Sequence, residues 1–478
     1  MKKIVSSFIL LFLGLSLCCS LQFVGLVSAN FFPAPVPDHN IEITEDGDVT
    51  GTDKIQRNGN LYTFTENIVG SIVVFRSCIV IDGAGYTLQG NGTRTGIWFQ
   101  AENNVEIRNL HIRNFTHGIE FTYALSLDGC TDIRLSGNTI TDNKYGITSW
   151  IFSRSNIFLG NIIANNTYGI YLSHSSNNVF RNNQLTNNTY NLWLTCETSV
   201  QMTSYFNDID ESNTINGKRI IYWISEQDKT VPSDAGYVAL VNCTNIKVQN
   251  QNISNNGQGI LLVATNNSLI TKNHIANNNY GIVLSARYEQ CVGNIITENN
   301  ITASTKDGIR SWNSEGTIIT GNRITNNKEN GINFAGSPNA YIVGNAITEN
   351  KEYGIKLSGS TNTTIYHNNF VDNIKQGVVL SFDLIYWNNG TEGNYWNEYS
   401  GTDADGDGIG DTPYSNIYAI KDSCPLMEPH DISEHEILGV IPEFPAWTPL
   451  LNMLIAVVAV VVIYRRKLHE KRHRRGGQ

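Results

Sequence analysis

The sequence predicts an all-β protein, built as a parallel β-helix of roughly ten to thirteen coils. One observation is a phrase of Gly followed by Ile or Val, which recurs with a period of about 23 residues from Gly308 to Gly377. Another is a phrase with Asn two residues before Ile, which keeps the same period at Asn322 and Asn345. A third is the lack of an apolar stripe with helical spacing. Two phrases locked to one period of about 22–23 residues indicate a solenoid of short strands.

Each period can be assigned to one coil. It contains three short apolar segments separated by Asn, Gly and Ser, as at Ile324, Ile332–Phe334 and Tyr341–Val343. The separating residues tolerate left-handed backbone or bond to their own backbone, so we assign them to corners. Coils stacked at about 4.8 Å place Ile on Ile inside and Asn on Asn at the corners. We therefore predict that the stack, rather than the single coil, is the folding unit.

The charge of the chain argues against nucleic acid as a partner. The 478 residues include 33 Lys and Arg against 43 Asp and Glu. Nine of the basic residues and one acidic residue lie before residue 30 or after residue 464. The stretch between therefore has 24 basic and 42 acidic residues, a formal charge of −18. Such a body favours solubility or cation binding.

The N-terminus has the layout of a secretory signal peptide over residues 1–29. Two lysines precede an apolar run at residues 8–17, and a Val-Ser-Ala triplet at 27–29 offers a cleavage site. An uncleaved anchor is the alternative. Residues 30–70 follow as a linker and an N-terminal β cap, with a hairpin turn at residues 57–60. We expect the cap to protect the open edge of the first coil.

Residues 71–385 are predicted to form the β-helix. The repeat phrase mostly keeps this period, but the interval from Asn191 to Gly259 is close to three periods. For residues 196–238 we predict degenerate coils that carry an excursion. A hairpin that leaves the helix over a lateral face is the alternative.

The irregular insertion at 196–238 contains the residues most suited to chemistry. Glycan cleavage needs paired carboxylates, or a carboxylate with a basic proton acceptor. The catalytic candidates are Asp208, Asp210, Lys218 and Arg219. Tyr222 and Trp223 are candidates for ligand binding, with simple packing of a wider coil as the alternative. Outside the insertion, two further compact pairs are Asp128 with Asp132 and Asp307 with Arg310.

Residues 386–424 end the body and contain an acidic loop at residues 403–411. Oxygen ligands stand at positions 1, 3, 5, 7 and 9 of this loop, as Ca²⁺ prefers. The predicted calcium ligands are Asp403, Asp405, Asp407, the carbonyl of Ile409, and Asp411. Tyr414 occupies the place of the bidentate Glu of an EF-hand, so the loop more closely resembles those of thrombospondin type 3 and dockerin-like repeats. We predict a structural calcium ion, with a solvated acidic turn as the alternative.

The C-terminal residues predict a membrane anchor. Residues 425–446 are rich in Pro and form an extended stalk, and residues 447–464 are apolar enough to span a bilayer core of about 30 Å. The basic tail at residues 465–478 favours the cytoplasmic side. Together with the signal peptide, this predicts an extracellular body on a single-pass transmembrane helix.

The repeat phrase also carries a family likeness. Residues 322–332 and 345–355 read Asn-x-Ile-x-x-Asn-x-x-x-Gly-Ile, which resembles the repeats of NosD-like proteins. Residues 81–88 look like the first coil of the pectin-lyase-like superfamily, and Gly-Asn-Tyr-Trp at 393–396 is similar to the end of many NosD-like chains. The resemblance implies a right-handed β-helix over roughly residues 72–414, with carbohydrate-binding or sugar-hydrolase repeats. Residues 441–445 resemble the Pro-Glu-Phe sorting signals of archaeal surface proteins, which implies processing of the helix; a retained anchor is the alternative.

The family is named after copper-enzyme maturation, so copper has to be considered. A Cu(I) site uses clustered Met, Cys and His. The chain has four Met, and its His residues lie on different coils, so copper is not expected. The Cys residues form no CxxC pattern, and we interpret most of them as small buried side chains, with one or two disulfides as the alternative. Asn-x-Ser/Thr sequons permit glycosylation.

From these features we expect a membrane-anchored surface protein that binds or shields a polysaccharide without catalysis, with calcium at its C-terminal end. The alternative is a calcium-assisted polysaccharide lyase, hydrolase or epimerase acting through the insertion. A second alternative, implied by the family name alone, is a copper-enzyme maturation factor.

Overall fold

The computed structural model describes residues 38–122, 129–150, 153–195, 202–285 and 289–432. The predicted signal peptide, transmembrane helix and basic tail lie outside these residues, as do most of the stalk and the sorting-signal segment. Within the described ranges, no helix has the length and apolar character needed to cross a membrane.

The described chain is a parallel β-solenoid of about 14 turns with almost no helix. This confirms the predicted fold class. The number of turns exceeds the expected ten to thirteen, since the first turns, at Ile41–Ile43 and Ile72–Val74, lack the Gly-Ile phrase. A short 3-10 helix at Met202–Tyr205 interrupts the strands.

Five sheets, which we call A to E, form the faces of the solenoid. Sheets A and B have eight strands each. Sheet A contains, in spatial order, Val49–Thr50, Ile41–Ile43, Ile72–Val74, Thr95–Gln100, His117–Thr122, Tyr145–Ser149, Tyr168–Ser173 and Tyr190–Thr195. Sheet B contains Ile55–Asn58, Leu61–Phe64, Ile79–Asp82, Val105–Arg108, Arg134–Ser136, Ile157–Leu159, Val179–Arg181 and Asp208–Ile209.

Sheet C has fifteen strands and runs through the whole body. Its strands are Ile68–Val69, Thr87–Gln89, His111–Arg113, Thr139–Thr141, Ile162–Ala164, Gln184–Thr186, Thr214–Ile215, Lys218–Ile224, Ala235–Val241, Gln258–Val263, Tyr280–Ser285, Ile309–Trp312, Ile332–Ala335, Tyr353–Ser358 and Lys375–Val379.

Sheets D and E have seven strands each and belong to the C-terminal half. Sheet D contains Lys247–Gln249, Leu269–Thr271, Ile295–Thr297, Ile318–Thr320, Tyr341–Val343, Thr363–Tyr366 and Ile385–Tyr386. Sheet E contains Asn252–Ser254, His274–Ala276, Asn300–Thr302, Arg323–Thr325, Ala346–Thr348, Asn369–Val371 and Tyr395–Trp396. Two short pairs lie beside them: Cys291–Val292 with Ser314–Glu315, and Tyr414–Ser415 with Lys421–Asp422.

The solenoid is divided into two stacks that meet at a hairpin. In the first stack, residues 41–215, sheets A and B and the first seven strands of sheet C enclose one core. In the second, residues 218–396, the remaining strands of sheet C close a separate core with sheets D and E. Strands Thr214–Ile215 and Lys218–Ile224 pair antiparallel and reverse the chain between them. The long interval in the repeat therefore marks a change of stack.

Strands at this junction are buried on both sides. All residues of Ala235–Val241 are buried. Val238 and Leu240 point into the second core, whereas Tyr237 and Ala239 belong to the first. The outer side of the second stack thus covers the end of the first.

Asn ladders explain one repeat phrase. In the second stack, Oδ1 of Asn345 accepts hydrogen bonds from the backbone N and from Nδ2 of Asn322, at 2.9 and 3.0 Å. Asn345 in turn donates to Asn368. The side chains are buried, and each amide satisfies backbone groups of the preceding coil, so the ladder leaves few polar groups unpaired. It ends at Asp422, whose Oδ2 accepts the backbone N–H of Asn394 at 2.8 Å.

Close approach of neighbouring coils explains the Gly of the other phrase. A Cβ on Gly331 would lie 2.6 Å from the carbonyl oxygen of Gly354 and 2.8 Å from Nδ2 of Asn350. Gly308 and Gly354 face the same restriction. The period in the sequence therefore records a steric requirement of the stack.

The described cysteines pair with no other cysteine. Cys130, Cys243 and Cys291 are buried, and Cys78 and Cys424 are more accessible. Burial raises the pKa of Cys291 to about 11 and that of Cys130 to about 12. Cys196, a further candidate for pairing, lies outside the described residues.

Candidate functional site

An aromatic surface lies on the solvent side of sheet A, towards the junction of the two stacks. Successive coils contribute aromatic side chains that form two rows. The surface consists of the inner row His117, Tyr145, Tyr168 and Tyr190 and the outer row Trp150, Tyr171 and Trp193. The register of the parallel strands aligns the inner row and the pair Tyr171 and Trp193 along the solenoid axis, whereas Trp150 follows its strand and reaches Tyr171 through its ring.

The inner row is a continuous ladder of stacked rings. The ring centroids of His117 and Tyr145 lie 4.8 Å apart, and those of Tyr145 and Tyr168 lie 4.4 Å apart with an interplanar angle of 10°. Tyr190 continues the ladder and its hydroxyl lies 2.6 Å from Oγ1 of Thr305, which belongs to the second stack. Because these rings cover one another's faces, the half-buried His117, Tyr145 and Tyr168 present mainly ring edges to solvent, whereas Tyr190 is buried.

The outer row has a different geometry. Tyr171 lies between Trp150 and Trp193, with centroid distances of 5.4 Å on both sides and interplanar angles of 59° and 75°. The tilt leaves parts of the ring faces open, and all three side chains are half-buried. Nε1 of Trp150 donates to Glu120 at 2.9 Å, which fixes the indole. This row can therefore offer flat apolar area beside polar groups.

His117, Glu120 and Lys144 lie close together at the far end of the ladder. Nδ1 of His117 lies 3.6 Å from Glu120, and the Lys144 ammonium lies 5.4 Å from the centroid of the Tyr145 ring. Burial lowers the pKa of His117; the charge of Glu120 opposes this, and Lys144 adds to it. The lowered pKa favours the neutral imidazole, which stacks on Tyr145.

A small cleft continues the aromatic surface across the junction. It is lined by Trp193 of the first stack and by Gln258, Tyr280, Arg310 and Trp312 of the second. Gln258 donates to the carbonyl of Leu194 at 2.6 Å, so the wall is held across the two stacks. Trp312 is 43% exposed. The cleft combines apolar walls with one cationic group, an arrangement typical of ligand sites.

The sequence holds a signal for this surface that the repeat phrases and charged motifs do not include. The residue before the repeated Gly is His at 117 and Tyr at 145 and 168, and Tyr190 follows one period later. In a β-helix, residues with the repeat period lie above one another. Three aromatic residues at one phase therefore predict a ladder on one face.

The acidic catalytic candidates are held in ion pairs. The Arg181 guanidinium contacts Asp208, and its Nε lies 3.2 Å from Asp210. Asp210 also accepts a hydrogen bond from the backbone N of Ser212 at 3.1 Å. The two carboxylates are brought together, but around an arginine on the rim of sheet B.

The basic catalytic candidates point elsewhere. Nζ of Lys218 donates to the carbonyl of Asn252 at 2.9 Å. Arg219 bridges Glu211 and Asp234, with 2.6 Å to each carboxylate oxygen. These contacts fasten the hairpin between the stacks. A catalytic role for the four candidates stays a prediction.

The aromatic residues of the insertion differ in their surroundings. Tyr222 is 7% exposed, and its hydroxyl donates to the carbonyl of Tyr205. Burial raises its pKa. Trp223 is half-buried against the second core, and Nζ of Lys229 lies 5.6 Å from the centroid of its ring. Packing accounts for both rings, and their role in binding stays a prediction.

The two compact pairs outside the insertion are Asp307 with Arg310 and Asp128 with Asp132, and the fold separates the first of them. Asp307 is fully buried, and its carboxylate accepts hydrogen bonds from Nδ2 of Asn330 at 2.6 Å and of Asn333 at 3.0 Å. Arg310 instead points to Tyr280 in the junction cleft. Asp132 has a left-handed backbone with φ of 56°, as expected for a turn, and Asp128 lies outside the described residues.

The acidic loop brings together three of the five predicted calcium ligands. One carboxylate oxygen from each of Asp403, Asp405 and Asp407 lies within 4.8 Å of the others. Backbone N–H groups of Gly406 and Gly408 donate to Asp403, at 2.7 and 2.9 Å, and these bonds lower its pKa. The carboxylate of Asp411 accepts the N–H of Ala404 at 2.8 Å, whereas Ile409 donates its N–H to Asp407.

Comparison with protein families gives two matches that divide at the junction. The family described as "Right handed beta helix region" matches residues 54–209, and the family described as "Periplasmic copper-binding protein (NosD)" matches residues 213–401. The chain is a NosD-like right-handed β-helix. Its predicted resemblance is thereby confirmed for the repeats, while the C-terminal sorting signal has no support. No curated protein matches the chain.

Comparison with solved structures gives several similar chains. A mutant of the periplasmic alginate epimerase AlgG is 16% identical, with 68% of this chain and 79% of that one covered and a TM-score of 0.26. The A-module of the mannuronan C-5 epimerase AlgE6 of Azotobacter vinelandii is 12% identical, covering 68% and 87%, with a TM-score of 0.28. The Dettilon tailspike protein is 14% identical, covering 71% and 58%, with a TM-score of 0.24. These likenesses carry no information on activity.

The donor groups of the NosD-like body do not fit a copper site. Rings of His367 and His430 stack at 4.2 Å, and Nε2 of His367 lies 2.6 Å from Glu392. Stacked imidazoles do not direct their nitrogens to one point. In the part of the chain that the structure describes, the acidic loop is the only group of three His, Cys, Asp or Glu ligands within 4.8 Å, and its hard oxygen ligands do not suit Cu(I).

Proposed function

We propose that this NosD-like chain binds a carbohydrate at the aromatic surface without cleaving it. The observation that carries the proposal is the outer row, Trp150, Tyr171 and Trp193, beside the phenol edges of the inner row. A pyranose ring has C–H groups on its faces and hydroxyl groups at its edge. The outer row offers aromatic faces to the former, and the inner row offers polar edges to the latter.

The direction of the rows favours a polymeric ligand. Strands stack at about 4.8 Å, so the aromatic rows repeat along the solenoid axis with nearly the length of one extended sugar residue. A polysaccharide lying along the axis meets an aromatic group of the outer row at three successive coils. Binding would then increase with the number of sugar residues until the surface is filled.

Removal of one aromatic side chain tests the proposal. We expect Tyr171→Ala to weaken binding of the glycan with the highest affinity by about tenfold, because Tyr171 lies at the centre of the outer row. The matched control is Tyr341→Ala, which removes a tyrosine that is 42% exposed on sheet D. The ligand would be identified on a glycan array with the full-length protein and then titrated by calorimetry. Equal loss of affinity in both variants would contradict the proposal.

The alternative of a polysaccharide lyase, hydrolase or epimerase is tested on the same material. We expect no release of unsaturated or reducing sugar from glycans that bind. The ion pairs of Asp208 and Asp210 with Arg181 support a structural role for these carboxylates. Turnover that disappears in the Asp208→Asn, Asp210→Asn double variant would establish the enzymatic alternative.

We further propose that the acidic loop binds one structural calcium ion. The segment at residues 425–427 packs back against the acidic loop. The N–H of Gly410 donates to the carbonyl of Pro425 at 2.8 Å, and the N–H of Met427 donates to the carbonyl of Gly408 at 3.0 Å. Leu426 also donates its N–H to the carbonyl of Asn394 in the last coil, at 2.9 Å. A cation in the loop would therefore stabilise the end of the second stack.

We expect calcium to raise the melting temperature by a few degrees, because it binds the folded loop and not the unfolded chain. Asp405→Asn combined with Asp407→Asn should abolish this rise. Asp46→Asn with Asp53→Asn, which removes two exposed carboxylates from the N-terminal cap, should retain it. A melting curve that is the same with calcium and with chelator would contradict the prediction.

The proposed location is the outer surface of the membrane, with the body anchored by residues 447–464. Support comes from the sequence patterns of residues 1–29 and 447–478. Protease added to intact cells would then degrade the body and leave the tail protected.

A further inference from the structure

Arg310 in the junction cleft is a cation without an acidic partner. Among the described residues, no Asp or Glu forms an ion pair with it within 4.0 Å. Six other arginines in the described part of the chain form ion pairs with carboxylates. Their ion pairs are Arg57 with Asp48, Arg94 with Asp38, Arg108 with Asp82, Arg134 with Glu106, Arg181 with Asp208 and Asp210, and Arg219 with Glu211 and Asp234.

Aromatic rings hold this guanidinium in place. Its central carbon lies 4.9 Å from the ring centroid of Tyr280 and 5.7 Å from that of Trp312, and Nη1 donates to the Tyr280 hydroxyl. These contacts orient the group but do not neutralise its charge. A guanidinium carries five N–H donors in a planar fork, so most of its capacity is left for a planar oxyanion.

Further cations lie on aromatic rings along the same side of the molecule. Nζ of Lys306 lies 5.5 Å from the centroid of the Tyr280 ring, next to Arg310. In later coils of sheet C, Lys375 lies 4.9 Å from the centroid of the Tyr353 ring. Glu329 lies nearby; burial raises its pKa, and the charges of Lys306 and Arg310 oppose this. Lys306 and Arg310 thus lie together on the Tyr280 ring, with the acidic groups Asp307, Glu329 and Glu352 also near them.

We infer that the ligand of the aromatic surface is an acidic glycan, whose carboxylate or sulfate group is bound by Arg310 in the junction cleft. The inference rests on the proposed function and specifies its ligand class. Trp193 belongs to both the outer row and the cleft, so one chain of sugars can occupy both. Desolvation between two rings strengthens the pairing of a guanidinium with an oxyanion.

The test compares acidic polymers with their neutral counterparts on the full-length protein. One arm uses polygalacturonate and the same polymer with its carboxyl groups reduced to alcohols. The other arm uses dextran sulfate and dextran, which distinguishes sulfate from carboxylate. We expect one acidic polymer to bind at least about tenfold tighter than its neutral form, with affinity that falls as salt is raised.

Arg310→Gln should lower the affinity for the acidic polymer by about tenfold, so that the acidic and neutral forms then bind with similar affinity. Arg323→Gln is the matched control, because it removes an exposed arginine from sheet E and changes the net charge equally. Equal affinity for acidic and neutral polymers, or equal loss in the two variants, overturns the inference but leaves carbohydrate binding standing. Lack of binding to all four polymers and to the glycan array overturns both.

Discussion

Asp422→Ala is expected to lower the free energy of unfolding by on the order of 4 kcal/mol. The Asp422 carboxylate is buried at the end of the Asn ladder and accepts the backbone N–H of Asn394, the indole N–H of Trp396 and the backbone N–H of Cys424, at 2.8, 3.0 and 3.1 Å. Burial raises its pKa, and these donors oppose the rise. Alanine would leave three N–H groups without an acceptor in the interior.

Asp422→Asn is the matched variant for this position. Its amide oxygen can still accept from Asn394 and Trp396, which share Oδ2 of the carboxylate. We expect it to lose less than half of what the alanine variant loses. Chemical denaturation followed by far-UV circular dichroism measures both values. Similar stabilities of the alanine variant and the natural protein would show that the ladder needs no terminal acceptor.

Gly331→Ala is expected to destabilise the second stack by about 3 kcal/mol, because the added Cβ cannot be accommodated without separating two coils. The atoms that it would meet, the carbonyl oxygen of Gly354 and Nδ2 of Asn350, belong to the sheet and to a buried Asn ladder. Neither can move away as a flexible side chain would. Thermal melting of the variant measures the loss.

Gly344→Asn provides the control for this substitution. Gly344 has φ of 63° and no atom within 4 Å of a Cβ built on it, and asparagine tolerates this left-handed conformation. The corresponding corner of the next coil is occupied by His367, also at positive φ. We expect a change within about 0.5 kcal/mol. A larger loss for Gly344→Asn than for Gly331→Ala would refute the steric explanation of the Gly-Ile phrase.

The fold could be predicted from the sequence because each phrase reports one local requirement. The repeated Gly is required because neighbouring coils approach closely, and the repeated Asn is required because buried backbone groups at the corners need hydrogen-bond partners. Both requirements recur in most coils, so a single chain displays them many times. The division into two stacks could not be predicted, since Ala235–Val241 is apolar throughout and does not reveal that its two sides face different cores.

The candidate site was harder to predict for a related reason. The sequence patterns favoured charged residues where the repeat fails. Asp208 and Arg219 do lie there, but they form separate ion pairs, Asp208 with Arg181 on sheet B and Arg219 with Asp234 at the hairpin. Aromatic residues such as Tyr145 and Tyr168 lie inside the regular repeat. Each directly precedes the Gly of the Gly-Ile phrase, and the period was attributed to that Gly and not to the aromatic residue before it. The cleft around Arg310 depends on contact between coils of different stacks, which spacing within one period cannot show.

The doubly buried strands at the junction also limit how this protein can change in length. Coils whose outer side meets water can be gained or lost in whole periods, because the neighbours on either side are equivalent. Ala235–Val241 has no equivalent neighbour, since one side completes the first core and the other begins the second. Lineages of this chain should therefore vary in the number of coils on either side of the junction while the junction itself is inherited as a fixed block.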